Sequence, residues 1–181
     1  MTTTGQDTAE LTLTPTQIEG PYYKCASPHR ASLIEPGITG TRLVLTGRVL
    51  NERGTPIPGA VVDFWQSDDV GNYDMVGNQL RGHVFTDETG SYSIETIMPA
   101  CYEPRHAKHM HVKVQGVSRP YTTQLYFSDD AERVKDNYYM PELEVQVEDL
   151  PDGSQRGTYT FIIHQVTEKE NVTPESLAAR V

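Results

Sequence analysis

The chain has 181 residues, 36% of them hydrophobic and 22% charged, with a formal net charge of −10. That size and balance suit one folded domain with a sizeable core, and the acidic surplus disfavours nucleic acid and anionic membrane surfaces, both of which attract a basic face. No apolar run approaches the ~20 residues that a bilayer-spanning helix needs, and Met1–Glu10 is polar without a signal peptide's apolar stretch, so a cytoplasmic location is the expectation.

In chain order, residues 1–13 read as a flexible polar tail and 14–181 as one domain. Thr14-Pro15-Thr16-Gln17-Ile18-Glu19-Gly20-Pro21-Tyr22-Tyr23 is extended and punctuated by Pro and Gly; it reads either as a lead-in loop or as a cover over the mouth of a site. Strands are expected at Arg42–Leu50 and Ala60–Trp65, on either side of a breaker-rich turn. Gln66–Gly82 is a long loop of the kind that often carries function. His83–Thr86 and Ser91–Ile97 flank an Asp-Glu-Thr-Gly turn and read as a hairpin. Met98–Lys108 is another loop, followed by strands at His109–Gln115 and Tyr121–Phe127. Asp129–Tyr139 reads as a helical turn or two, and Pro141–Val147 and Gly157–Val166 as strands joined through an Asp152-Gly153 turn. Thr173-Pro174 marks the start of a short terminal helix, with Thr as cap and Pro at its first position. Many short strands with little helix predict an all-β fold: a β-sandwich core of mixed topology with long site-bearing loops.

The two cysteines, Cys25 and Cys101, are far apart and form no paired motif, so no disulfide framework is implied. Cys101 reads as a buried small residue and Trp65 as a core residue. Asn171-Val172-Thr173 fits a glycosylation acceptor pattern, which carries no weight without secretion.

The chemistry concentrates between Asp63 and Lys113. In an extended strand His109 and His111 share a face, with Cβ atoms about 7 Å apart, close enough to bind one ion. Tyr73 and Tyr102 lie upstream in Gly- and Pro-containing segments. Imidazole suits zinc, copper, iron and nickel alike. A phenol, which ionises near pH 10 when free, needs a hard and strongly Lewis-acidic ion to be held as phenolate, and ferric iron meets that demand better than zinc. Two phenolates and a hydroxide cancel its charge, and two imidazoles complete five ligands. Ligand type alone equally allows a zinc or copper site built from Cys101, His106, His109 and His111.

Several further stretches complete a pattern. They are Thr14 to Tyr22, Gly59-Ala60 to Trp65-Gln66, Gly71-Asn72-Tyr73, Arg81-Gly82, Thr86-Asp87 with Gly90 and Tyr92, Thr96-Ile97-Met98-Pro99 to Tyr102, His109-Met110-His111, and Thr123-Gln124-Leu125-Tyr126-Phe127. In this order they closely resemble the intradiol ring-cleaving dioxygenases, a family of non-haem ferric enzymes, over about residues 14–130. The resemblance implies one Fe(III) per chain, held by Tyr73, Tyr102, His109 and His111. Tyr73 resembles the permanent phenolate ligand and Tyr102 the tyrosinate that leaves iron when substrate binds. Gln124 resembles the glutamine beside the site. Gly20, Pro21 and Tyr22 resemble the segment that approaches the substrate, and Asp68 and Asp69 fall where the family's pocket-lining loop runs. The implied reaction takes a catechol and O2 and opens the ring between its hydroxyl-bearing carbons to give a cis,cis-muconate-type diacid.

One departure stands out. The family usually reads Arg-Pro-Ala-His-x-His, and its arginine steadies charge on the bound ring. Here His106 occupies that position, with Arg105 one residue earlier, so either Arg105 takes the role through a shifted loop or another cation does. The same departure points to a changed pocket and a substituted catechol. A homo-oligomer is expected, with the 14–23 segment as a candidate contact. The rival reading is a non-catalytic transthyretin-like or carboxypeptidase-regulatory-like sandwich, which shares the strand pattern around Gly47, Gly54 and Pro58-Gly59 but lacks the Tyr/Tyr/His/His set.

Overall fold

The computed structural model describes residues 10–165. Most of the expected tail, the end of the last strand at Val166, the Asn171 acceptor sequence and the terminal helix lie outside the described residues. The strands are β1 Arg42–Leu50, β2 Val61–Gln66, β3 Arg81–Phe85, β4 Ser91–Ile97, β5 His109–Gln115, β6 Tyr121–Phe127, β7 Glu144–Asp149 and β8 Gln155–Ile162. Among the described residues the only helices are two 3-10 turns, Ala131–Lys135 and Pro141–Leu143. The first supplies the helical turn expected in 129–139. The second takes the front of the strand expected from Pro141, because that proline lacks the N–H a ladder uses. No described helix is long and apolar enough to cross a membrane.

The strands run in the order β3-β2-β5-β6-β7-β8-β1-β4. Neighbours are antiparallel except β1 with β8 and β6 with β7, which are parallel, so the topology is mixed. The β6–β7 junction is short, pairing Tyr126 with Glu144 and Phe127 with Val145. The sheet folds at that junction so that its halves enclose one core. Alternate residues supply it: Leu43, Leu45, Ile94 and Phe161 from one half, and Val62, Phe64, Met110, Val112, Val114 and Leu125 from the other.

The hairpin expected from β3 and β4 does not form. The Asp87 turn is present, with the Asp87 carboxylate accepting from the Thr89 and Ser91 amides. The strands beside it belong to opposite halves of the sheet: β3 pairs with β2, and β4 with β1. The turn is a crossover, anchored where the Val49 amide donates to Gly90 O. Strand alternation flanking a tight turn fits both geometries, and the longer ladders to β1 and β2 decide between them.

All seven residues of β5 are buried. Met110, Val112 and Val114 enter the core; His109, His111, Lys113 and Gln115 face the other way. What covers them is the 14–23 segment, which crosses this half of the sheet as a strap. Gln17 N donates to Thr122 O, Thr123 Oγ1 to Pro15 O, and Gln124 Nε2 to Ile18 O. Lys113 Nζ bonds Glu19 at 2.6 Å and sits 3.5 Å from the Tyr23 ring centroid. Strand residues so polar on their second face require such a roof, because a buried cation must be paired.

Two positions test this architecture. Gly47 pairs with Tyr92 on one side and Tyr159 on the other, and the Tyr92 hydroxyl reaches across it to bond Tyr159 O at 2.8 Å. A Cβ there would lie 1.7 Å from Tyr159 O. Gly47→Ala therefore shifts the backbone and breaks that bond, at a cost of about 2–5 kcal/mol. A fall in Tm of roughly 5–15 °C is the expected measurement.

Asp63, in β2, is 1% exposed and accepts from Ser27 Oγ at 2.6 Å. Burial pushes its carboxyl up to about 7, against smaller opposing effects of Ser27, Lys113 and Arg81. A carboxyl whose folded pKa lies above its unfolded value binds more protons in the native state. Its contribution is thus fully present near pH 4 and lost as pH rises toward 7. Asp63→Asn keeps the acceptor for Ser27 without the charge. Denaturant unfolding should find it as stable as the native chain near pH 4 and more stable at pH 8, at roughly 1.4 kcal/mol per unit of displacement.

Candidate metal centre

The strap and two loops meet over the polar face of β5. His109 and His111 project from that strand with ring centroids 5.1 Å apart. Tyr73 arrives from the 66–80 loop and Tyr102 from the 98–108 loop. Their rings stand edge-on to one another at 5.5 Å, with Tyr102 5.4 Å from His109 and Tyr73 6.3 Å from His111. Side chains distant in the chain thus converge on one point.

Tyr73 and His111 are braced from behind. Tyr22 of the strap stacks on Tyr73 at 4.3 Å, 16° from parallel. Arg81, 2% exposed, bonds Tyr22 O at 2.6 Å and Asp74 O at 2.9 Å, tying the strap to the loop that carries Tyr73. Trp65 is buried as expected, yet it packs outside the main core, stacked on His111 at 5.0 Å. Gly20, at φ +75°, lets the strap pass so close that a Cβ would lie 3.3 Å from His111 Cε1.

Three of the polar atoms here lack protein partners. Tyr73 Oη and both His111 ring nitrogens are buried without a hydrogen bond. His109 Nδ1 lies 2.8 Å from Ala107 O, a carbonyl that only accepts, so Nδ1 carries the proton and Nε2 offers its lone pair to the site. Burial, and then the Arg105 charge, holds His109 down at about 4; burial and His109 hold His111 well below the usual range. Both rings are neutral donors at pH 7. Burial raises Tyr73 and Tyr102 above ordinary phenols, so neither ionises until a strong cation is present. Two neutral imidazoles and two phenols that only a hard, highly charged ion can deprotonate fit ferric iron.

The zinc or copper alternative is not assembled. Cys101 is exposed, contrary to its expected burial, because it lies on the outer side of the loop that turns Tyr102 inward. His106 is exposed as well. Among the described residues no three His, Cys, Asp or Glu side chains come together for an ion. Cys25 is also free, so the cysteines do not pair.

A cavity of about 230 Å³ opens beside these residues, lined by Ile18, Gly20, Pro21, Tyr22, Tyr102, Pro104, Arg105, His111 and Tyr138. Tyr102 is on its wall and Tyr73 is not. Arg105, not His106, points inward. Its Nε pairs with Asp136 at 2.8 Å, Nη2 donates to Gln124 Oε1 at 2.8 Å and to Tyr126 Oη at 3.2 Å, and Nη1 lies 3.2 Å from His109 Nε2. Gln124 is fully buried and away from the cavity, between Arg105 and Ile18 O.

Asp68 and Asp69, expected at the pocket, are held elsewhere. Asp68 accepts from the Val70 and Asn72 amides and folds its own loop. Asp69 accepts from Thr39 Oγ1 at 2.8 Å. Sequence reading assigned no site role to Arg81, Tyr126, Asp136 or Tyr138, although Arg81 and Tyr126 fall within the stretches that carry the family resemblance. Only Arg81 had a local signal, a cation opening a strand whose other residues are apolar or neutral.

The profile of the family described as Dioxygenase matches residues 18–163. Chlorocatechol 1,2-dioxygenase of Rhodococcus opacus is 31% identical over 172 residues, covering 75% of this chain and 67% of the relative. Catechol 1,2-dioxygenase 1 of Acinetobacter lwoffii is 31% identical, covering 92% of this chain and 57% of the relative. The dioxygenase domain of a dioxygenase carbohydrate-binding protein fusion from Streptomyces sp. SirexAA-E is 38% identical with TM-score 0.81, covering 86% of this chain and 100% of that one. Hydroxyquinol 1,2-dioxygenase from Pseudomonas putida DLL-E4 is 26% identical with TM-score 0.76, covering 85% of this chain and 67% of that one. The chain spans 32% to 67% of the length of eight curated catechol and chlorocatechol 1,2-dioxygenases that it matches.

Proposed function

The chain belongs to the intradiol dioxygenase family, and on that premise we propose that it is a non-haem ferric enzyme that opens the ring of a catechol between its hydroxyl-bearing carbons, using O2, to give a cis,cis-muconate-type diacid. The observation that carries the proposal is the convergence of Tyr73, Tyr102, His109 and His111, with Tyr73 Oη and both His111 ring nitrogens buried and unpartnered. Bound by these four, one ferric ion would supply the Lewis acidity that makes phenolates of both tyrosines and activates a chelated catecholate toward O2.

The residues divide the remaining work. His109 and His111 are permanent neutral donors. Tyr73 lies off the cavity behind Tyr22, which suits a ligand that stays. Tyr102 lies on the cavity wall, which suits a ligand that gives way, and its Oη is then a base for a catechol proton. Arg105 lines the cavity, with its Nη1 beside His109 Nε2, and as a hydrogen-bond donor steadies negative charge developing on the ring. Gln124 acts through Arg105, fixing its Nη2, instead of touching substrate. Gly20, Pro21 and Tyr22 form the near wall and exclude water. The cytoplasmic location and a homo-oligomeric state go with this reading as proposals.

The test is colour and oxygen uptake. Purified protein given ferrous iron and air should turn red-brown through a phenolate-to-ferric band, and should consume O2 with catechols to give products heavier by two oxygen atoms. Protein that stays colourless, or a yellow semialdehyde product, would overturn the assignment.

A further inference from the structure

Arg105 is the only charged side chain among the described residues that line the cavity, and it does not stand alone. Asp136, 6% exposed, lies directly behind it and off the cavity wall. Its Oδ2 pairs with Arg105 Nε at 2.8 Å and meets the Ala107 amide at 3.4 Å, while its Oδ1 accepts from the Tyr138 amide at 3.0 Å. One carboxylate therefore fixes the arginine, the entry to the strand carrying His109 and His111, and the wall residue Tyr138. The Tyr138 ring covers the guanidinium at 4.8 Å. The rest of the lining is apolar or neutral, and the chain as a whole carries a net charge of −10.

We propose that Asp136 is a positioning residue that sets substrate charge: by pairing with Arg105 it leaves the cavity without net positive charge, so that the site takes catechols with uncharged ring substituents and rejects those bearing a carboxylate. A ring carboxylate entering this cavity would leave water for apolar walls and meet a guanidinium already neutralised from behind, and an unpaired buried charge is costly. A catechol with an alkyl, halogen or other neutral substituent meets Ile18, Pro21, Pro104 and Tyr138 at no such cost. The inference rests on the dioxygenase reading only for the nature of the ring that binds.

Trp65 supplies the readout, since it is the only tryptophan and stacks on His111. Iron-loaded full-length protein is titrated under argon with catechol and with 3,4-dihydroxybenzoate, following Trp65 fluorescence and the visible band together. The native protein should bind catechol at least about tenfold more tightly than the carboxylate. Asp136→Asn should narrow that ratio by about tenfold or more, and Asp136→Glu should restore it. Under oxygen, the gain in Asp136→Asn should appear in KM for the carboxylate, while kcat falls for both substrates as Arg105 loosens. A native ratio below that tenfold, or a ratio unmoved in folded Asp136→Asn, overturns the proposal. If Asp136→Asn does not fold, the native ratio decides alone. Protein that shows the expected ratio but consumes no oxygen sinks the dioxygenase reading and leaves this one; oxygen uptake that prefers the carboxylate does the reverse.

Discussion

Tyr73→Phe should leave the metal-free chain as stable as before, or more stable by about 1 kcal/mol, and yet abolish its ferric centre. The Tyr73 hydroxyl is buried without a partner, and such a group costs about 1–3 kcal/mol in desolvation while returning nothing. Phenylalanine keeps the ring that stacks on Tyr22 and removes the penalty. Under the proposed ligation the same atom would be one of four ligands and would carry half of the phenolate charge. Iron affinity should therefore drop at least ~100-fold, beyond what loss of an outer-shell partner costs, and oxygen uptake should disappear with it. Two melting curves carry the test, one without iron and one with it: the native chain gains Tm on loading and the variant does not. A variant that keeps its colour and its iron-dependent gain would remove Tyr73 from the ligand set.

Arg105→Met has the second large effect, and here stability and activity fall together. Removing the guanidinium strands the Asp136 carboxylate, which is 6% exposed; breaking a buried pair from one side costs about 3–5 kcal/mol. Loss of the positioned guanidinium N–H donors beside the ring should lower kcat by about 10²–10³-fold. The double variant Arg105→Met/Asp136→Asn separates the two losses. Neutralising the stranded carboxylate should return most of the stability and none of the rate. Thermal melts beside oxygen-uptake kinetics measure both, and recovery of rate in the double variant would show that Arg105 serves only the fold. Iron content should stay near that of the native chain, because Arg105 is not a ligand.

How far the sequence reached follows from the range of the interactions involved. His109 and His111 were legible because a strand's two-residue period is local, and the same period marked Met110, Val112 and Val114 for the core. Six of the eight strands fell within two residues of their expected ends for the same reason. Tyr73 and Tyr102 sit in loops with no period, so only the family resemblance singled them out among ten tyrosines. The choice between Arg105 and His106 hung on how the 98–108 loop folds back. The Tyr102–Arg105 bridge turns Arg105 inward and leaves His106 in solvent. Asp136 and Tyr126 reach Arg105 from elements far along the chain, and no local pattern announces a partner that distant. Asp68 and Asp69 misled because their position matched while their carboxylates serve loop amides and Thr39. The β3–β4 hairpin misled because a tight turn between alternating strands does not reveal which neighbours they will choose.

The parallel pairing of β1 with β8 has a consequence in time. Leu43 waits for Gln155 and Leu50 for Ile162, so an early strand stays unpaired on one edge until residues 155–162 have left the ribosome. Contacts that distant make folding slow and leave an apolar strand edge open to mispairing meanwhile. The β2–β5–β6 ladders do not depend on that closure, and the strap meets β8 through Thr14, which bonds Ile162. During synthesis the half that carries His109 and His111 can therefore organise its ladders first, and the β8–β1–β4 half arrives last, to lock the core behind it.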